Sequence, residues 1–181
     1  MPTEFSAILL AGGRSTRMGR DKALLDWRGR PLIDHMLGLL SAAGASRVLV
    51  SGDRPGRRGI PDAWSGRGPV AGLASALAAC PEGPAVVVPV DLPLLDTPRL
   101  SRLVAALAEA PAAHFSGHPL PCAVRVDDAI RAATRAMVEA SPDGPSMRAW
   151  LAEAGAIALD PGAGADLRPC NTPADYAALA P

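Results

Sequence analysis

Apolar and polar positions along this chain follow two rhythms that take turns. Residues Phe5–Leu10 are apolar apart from Ser6 and stop at Ala11-Gly12-Gly13, the pattern of a strand buried on both faces that runs into a loop. Residues 31–43 then place Leu32, Ile33, Met36, Leu37, Leu39 and Leu40 at helical spacing. Pro31 suits an early helical position and Gly44 a C-terminal stop. Residues 48–50 read as a short strand, followed by a polar loop rich in Gly, Pro and Arg as far as residue 68. An alanine-rich helix over 70–80 leads to the clearest buried strand, 85–88, which runs into Pro89-Val90-Asp91-Leu92-Pro93. An amphipathic helix over 98–109 comes next. Short strands near 113–115 and 121–126, helices near 127–140 and 146–154, a strand near 156–159 and a terminal helix from Pro173 complete the pattern.

Strand and helix alternate at the spacing of βαβ units. The expected class is therefore α/β, a three-layer α/β/α arrangement with a mostly parallel sheet and right-handed crossovers. No internal repeat, heptad array or low-complexity tract interrupts it, and 181 residues fit one domain over 1–181.

Composition narrows the function. Cys80, Cys122 and Cys170 are widely spaced, odd in number and outside any zinc spacing, which points to reduced, buried thiols of a cytoplasmic protein. The N-terminal region has no basic segment, and its apolar run over 7–11 is too short for a signal peptide or a membrane span. Net charge is zero but unevenly placed: residues 1–67 hold eleven Arg or Lys against six Asp or Glu, and residues 68–181 hold seven against twelve. A basic first third suits an anionic ligand. Neutral overall balance with 3% aromatics argues against nucleic acid. Of eighteen basic residues only Lys22 is lysine. An ammonium is a compact point charge suited to phosphate oxygens, whereas guanidinium is a planar fork; the plain alternative is chance survival in an arginine-biased chain.

The stretch from Leu10 through Lys22, with Ala11, Gly12, Gly13, Arg14, Ser15, Thr16, Arg17, Met18, Gly19, Arg20 and Asp21, follows the first strand, where open α/β sheets bind ligands. Glycines let backbone amides approach phosphate oxygens, and Arg14, Arg17 and Lys22 add positive charge. It is neither a Walker loop nor a dinucleotide fingerprint. Asp91, at the end of the 85–90 run, reads either as a Mg²⁺ ligand or as an aspartate capping a turn before Pro93. Pro89 lacks an amide donor, which places a ladder interruption just before Asp91. Gly66-Arg67-Gly68-Pro69-Val70-Ala71-Gly72 opens a helix, as a ligand approach or a plain loop-to-helix junction. Asp62 either accepts hydrogen bonds from a base or ribose or faces water. His35, inside an apolar helix, reads as a packing residue. No Ser-His-Asp or Cys-His set is evident, and phosphoryl chemistry needs none.

The first loop, Leu-Ala-Gly-Gly-Arg-Ser-Thr-Arg-Met-Gly-Arg-Asp-Lys, resembles that of the nucleotidyltransferase superfamily, and specifically the molybdenum cofactor guanylyltransferase family. Gly68-Pro69-Val70-Ala71-Gly72, Pro89-Val90-Asp91-Leu92-Pro93 and Asn171-Thr172-Pro173-Ala174-Asp175 agree with that family in order and spacing, so the resemblance spans the chain. It implies a Rossmann-like fold of the nucleotide-diphospho-sugar transferase type and Mg²⁺-dependent transfer of GMP from GTP to molybdopterin. By the same resemblance Leu10, Ala11, Gly12 and Gly13 contact the nucleotide, and Lys22 holds its phosphates with Arg17. Asp62 and Gly72 lie near the nucleoside, Asp91 binds metal and nucleotide, and Asn171 lies near the acceptor. Proteins that supply molybdopterin or receive the product are implied partners. Two positions depart from the pattern: Ser51 and Pro169 stand where the family carries asparagine. A cytidylyl-transferring sister enzyme and a non-catalytic carrier of the same fold are the rival readings; Asn171 and the Leu-Ala-Gly loop favour guanylyl transfer over the first, Lys22 and Asp91 argue against the second.

Overall fold

The computed structural model describes residues 4–12, 21–164 and 166–179. Its elements run in the expected order. Strand β1 (Phe5–Leu10) is followed by a 3₁₀ turn over Lys22–Leu24 and a small hairpin of β2 (Asp26–Trp27) and β3 (Arg30–Pro31). Then come α1 (Leu32–Ala42), β4 (Ala45–Ser51), a 3₁₀ turn over Pro55–Arg57, α2 (Gly68–Leu77), β5 (Gly83–Pro89) and α3 (Thr97–Ala106). The second half holds β6 (Ala112–Phe115), β7 (His118–Val126), α4 (Asp128–Ala140), α5 (Met147–Glu153), β8 (Ala156–Leu159) and α6 (Pro173–Leu179).

Six strands form one sheet in the order β4-β1-β5-β7-β6-β8. Neighbours β4–β1, β1–β5 and β6–β8 are parallel, while β7 runs antiparallel to both β5 and β6. The mostly parallel expectation therefore holds, with one reversed strand in the sheet's interior. The reversal follows from the chain: Gly117, at φ +81°, turns β6 straight into β7, too short a link for a parallel crossover.

The sheet divides two apolar layers, which explains why β1 and β5 read as unbroken apolar runs. Phe5, Ala7 and Leu9 of β1 with Val86 and Val88 of β5 pack on one side with α1, α3 and α6 residues such as Met36, Leu100 and Leu179. Ile8, Leu10, Ala85 and Val87 point the other way, onto Leu73 and Leu77 of α2, Val138 of α4 and Trp150 of α5. Buried polar groups in this second layer are satisfied: Trp150 Nε1 donates to Thr134 Oγ1 at 2.8 Å, and that hydroxyl donates to the Ile130 carbonyl at 2.6 Å.

The hairpin of β2 and β3 is an addition to the sequence reading. It inserts Trp27, fully buried, against Tyr176 of α6 at 5.6 Å between ring centroids and against His35 of α1 at 5.9 Å. His35 is thus a packing residue as expected, with its Nε2 2.9 Å from the Pro93 carbonyl. All three cysteines are buried and unpaired. Among the described residues no helix is long and apolar enough to cross a membrane.

Candidate functional site

Three neighbouring strands end together. Leu10 of β1 lies in register with Ser51 of β4 and with Pro89 of β5, so the segments that leave these strands start side by side. β5 stops at Pro89, as expected of a residue with no amide to donate, and Asp91 falls in the turn beyond it. Val90 N donates to the Leu10 carbonyl at 3.0 Å, fixing that turn against β1.

Lys22 opens the 3₁₀ turn that Asp21 caps by accepting from Ala23 N at 3.1 Å. From there its ammonium lies 3.5 Å from Asp91 Oδ2 and 2.6 Å from Asn171 Oδ1. Asn171 reaches this point because the Cys170 amide donates to the Asp91 carbonyl at 2.8 Å, stitching the C-terminal segment to the same turn. Thr172 then caps α6, its hydroxyl accepting from Asp175 N at 3.1 Å, while Asp175 Oδ2 reaches back to accept from the amides of Asn171 and Thr172 at 3.1 and 2.8 Å. Lys22 and Asp91 are mostly buried, with side chains 18% and 21% exposed. Burial pushes the Asp91 carboxyl above its ordinary value, against the opposing pull of the Lys22 ammonium. The result is a partly desolvated cation beside a partly desolvated carboxylate at the sheet's C-terminal edge.

A second cluster surrounds Asp62. Its Oδ1 accepts from Ser51 Oγ at 3.1 Å. A methyl group built on Gly12 would come 2.8 Å from Asp62 Oδ2, and one on Gly72 would come 2.5 Å from Ser51 Oγ and 3.1 Å from Asp62 Oδ1. Gly52, at φ +112°, rests against the backbone of Gly12. Glycines at 12 and 72 therefore share a physical reason, since the backbone closes on one carboxylate and leaves no volume for a Cβ, while Gly52 is required by its φ and by the Gly12 backbone it rests on. Ser51 is only 1% exposed, and its hydroxyl is committed to Asp62.

The structure thus brings Lys22, Asp91 and Asn171 into contact, and gathers Gly12, Ser51, Asp62 and Gly72 a short way along the same edge. Of the Leu10 and Ala11 backbone, the Leu10 carbonyl is committed to Val90 N, Ala11 N to the Ser51 carbonyl at 3.0 Å, and the Ala11 carbonyl to Arg54. Gly13 and Arg17, with the rest of residues 13–20, lie outside the described residues. Arg54 was missed by sequence reasoning. It sits in a loop with Arg57 and Arg58, and nothing in composition or periodicity separates it from them. Asp21, named only as part of the Leu10–Lys22 stretch, carries no sequence signal that sets it apart either.

The donor set suits a magnesium ion held by one protein carboxylate. Among the described residues no group of three or more His, Cys, Asp or Glu side chains converges, and a lone carboxylate such as Asp91 is the kind of protein donor that Mg²⁺ takes when substrate phosphates and water supply its other ligands. A cavity of about 600 Å³ opens elsewhere, lined by Ile60, Trp64, Ala74, Ala78, Arg131 and Arg135, and takes in none of the sequence-predicted site residues. Arg131 is already committed there to the Leu77 and Cys80 carbonyls and Asp128.

Residues 7–157 match the family model described as the MobA-like NTP transferase domain. A molybdenum cofactor guanylyltransferase of Xanthomonas euvesicatoria pv. vesicatoria is 39% identical over 97% of this chain and 94% of its own length. Among solved structures, molybdopterin-guanine dinucleotide biosynthesis protein A from Archaeoglobus fulgidus superposes with a TM-score of 0.76 at 18% identity, over 96% of this chain and 95% of that one. A 2-C-methyl-D-erythritol 4-phosphate cytidylyltransferase from Thermus thermophilus gives 0.73 at 18% identity, over 97% of both chains. The two structural likenesses establish the fold alone.

Proposed function

This chain belongs to the MobA-like NTP transferase family, and from that premise we propose that it is an enzyme that transfers GMP from GTP to the terminal phosphate of molybdopterin. A phosphate oxygen of the acceptor attacks the α-phosphorus of GTP. The bond from that phosphorus to the β-phosphate bridging oxygen breaks, and pyrophosphate leaves. Both partners are anions, so the residues' work is to hold two repelling groups in line and to offset their charge.

The observation that carries the reading is the Lys22 ammonium held between Asp91 and Asn171 at the shared end of β1, β4 and β5. Lys22, the chain's one point-like cation, is assigned to the nucleotide phosphates, with Arg17 and the Gly12-Gly13 backbone beside it. Asp91 would hold Mg²⁺, which when bound supplies charge neutralisation at the phosphates. Asp62, kept in place by Ser51 and by the absence of side chains at Gly12 and Gly72, is assigned to the guanine nucleoside, since a carboxylate accepts from two adjacent N–H groups at once. Asn171 is assigned to the side from which the acceptor approaches. We further read the whole of 1–181 as this one catalytic unit, working in the cytoplasm with proteins that deliver molybdopterin and accept the product; three unpaired thiols support that compartment.

The test is Mg²⁺-dependent pyrophosphate release with each of the four nucleoside triphosphates, with and without molybdopterin. Release with GTP only, and only when the acceptor is present, is the expected result. Preference for CTP would make it a cytidylyl transferase, and nucleotide binding without release would make it a carrier.

A further inference from the structure

Lys22 opens a 3₁₀ turn, and the structure shows what holds Asp21, the residue before it. Arg54 lies in the turn after β4, its side chain only 13% exposed. Its Nε and Nη2 both donate to the Ala11 carbonyl, at 3.0 and 2.6 Å. Its Nη2 also donates to Asp21 Oδ1 at 3.0 Å, and its Nη1 pairs with Asp21 Oδ2. One guanidinium therefore grips the last residue but one before the loop's second glycine and the last residue before Lys22. The Arg54 backbone is itself fixed: its carbonyl accepts from the amides of Arg57 and Gly59 at 2.9 and 3.0 Å. Gly59 packs so closely on it that a Cβ there would lie 2.5 Å from Arg54 N.

We infer that Arg54 is a positioning residue for the transfer reaction, tying Ala11 to Asp21 and thereby setting where the Lys22 ammonium stands. The inference rests on the reading of Lys22 as the phosphate-holding group. The path is continuous. Arg54 orients Asp21, Asp21 caps the 3₁₀ turn through Ala23 N, and Lys22 is the first residue of that turn. Burial pushes the Asp21 carboxyl up, but the Arg54 hydrogen bonds and charge more than offset this and leave it below its ordinary value. The carboxylate is thus ionised and available as a cap. A planar fork is required: a lysine at 54 has no fixed geometry with which to span a carbonyl and a carboxylate together.

Because Lys22 is the chain's only lysine, its amine can be read in isolation. Protein labelled with ¹⁵N-lysine gives one side-chain Nζ signal, and peptide mapping after brief treatment with an amine-acylating reagent gives one side-chain rate. In Arg54→Met and in Asp21→Asn, with Tm held within a few degrees of wild type, the Nζ signal should move toward that of free lysine. Acylation of Lys22 should quicken about fivefold or more, the scale on which one lost restraint alters a local equilibrium. Arg54→Lys, which adds a second lysine and is therefore read by peptide mapping of the Lys22 peptide alone, should show an acylation rate between those of wild type and Arg54→Met. If Arg54→Met fails to fold, Asp21→Asn carries the same comparison, since it breaks the clamp without removing the buried side chain. A wild-type Nζ signal and acylation rate in a folded clamp variant overturns the inference, as does a fall in Tm with Lys22 unmoved, which marks a purely structural role. Absence of GTP binding by the wild type would sink the functional reading while the Lys22 readout still decided the clamp.

Discussion

Replacing Gly72 by alanine should separate stability from nucleotide recognition. Gly72 sits in the first turns of α2 with helical backbone, where alanine adds about 1 kcal/mol of helix propensity over glycine. The new methyl, however, would arrive 2.5 Å from Ser51 Oγ and 3.1 Å from Asp62 Oδ1. Ser51 is buried and short, so its hydroxyl can escape only by rotating away from Asp62, which breaks their 3.1 Å hydrogen bond. A hydrogen bond to a charged acceptor contributes about 1.5–3 kcal/mol. Set against the helix gain, the net loss is about 0.5–2 kcal/mol, or roughly 1–8 °C in Tm for a chain of this size. The larger consequence falls on Asp62, which loses its one described donor and swings from the position assigned to the nucleoside. GTP affinity should drop by roughly 10- to 100-fold, the equivalent of one misplaced charged hydrogen bond. Thermal melts and titration calorimetry with GTP measure both quantities. Adding Ser51→Ala removes the 2.5 Å contact but also the donor itself, so the double variant should stay near the single variant in Tm and regain no affinity, because Asp62 still lacks its donor. The reasoning fails if Gly72→Ala binds GTP like wild type, or if the double variant regains full affinity.

Asp91→Asn should lower pyrophosphate release by roughly 100- to 1,000-fold. Its Tm should hold or rise, since burial already disfavours the ionised form of this carboxyl. Retained turnover would remove Asp91 from the metal site. Asp34 in α1 accepts from Arg57 Nε and Nη2 at 2.7 Å each, and those bonds hold its carboxyl below the ordinary value against the upward push of burial. A depressed folded-state value means the pair's contribution is complete above the unfolded pKa of about 3.9 and is lost as pH falls through the lower folded value. The Tm advantage of wild type over Asp34→Asn should therefore be full near neutrality and close below about pH 4, remaining small throughout because the pair is near the surface. A gap that survives unchanged at strongly acid pH would show that the pair does not act through ionisation.

How much of this could be read from the chain alone depends on the range over which each signal acts. Apolar periodicity is local. It was enough to place β1 and the last strand before Asp91, the six helices and their order, and hence the class of the fold. Lys22 stood out because it is the only lysine, and Asp91 because a strand ended beside it. What stayed hidden was local structure without periodicity, the two-residue strands around Trp27, and everything that depends on which strands become neighbours. The antiparallel insertion of β7 depends on a two-residue turn rather than on any feature of its own sequence. Lys22 meets Asp91 across 69 positions and Asn171 across 149, and no pattern in the chain records such distances. The role of Ser51 changed in the same way. As a sequence position it was a departure from asparagine; in the fold it is the donor that holds Asp62.

The chain by itself determined that strands and helices would alternate and that a glycine loop bearing cations would follow the first strand, because hydrophobic spacing and backbone conformation act between residues a few places apart. Only the folded sheet decided that three strand ends would be adjacent, and so brought one ammonium, one carboxylate and one guanidinium clamp to a single edge. That outcome is set by burying both faces of the sheet at once, a condition on the whole chain and not on any segment of it.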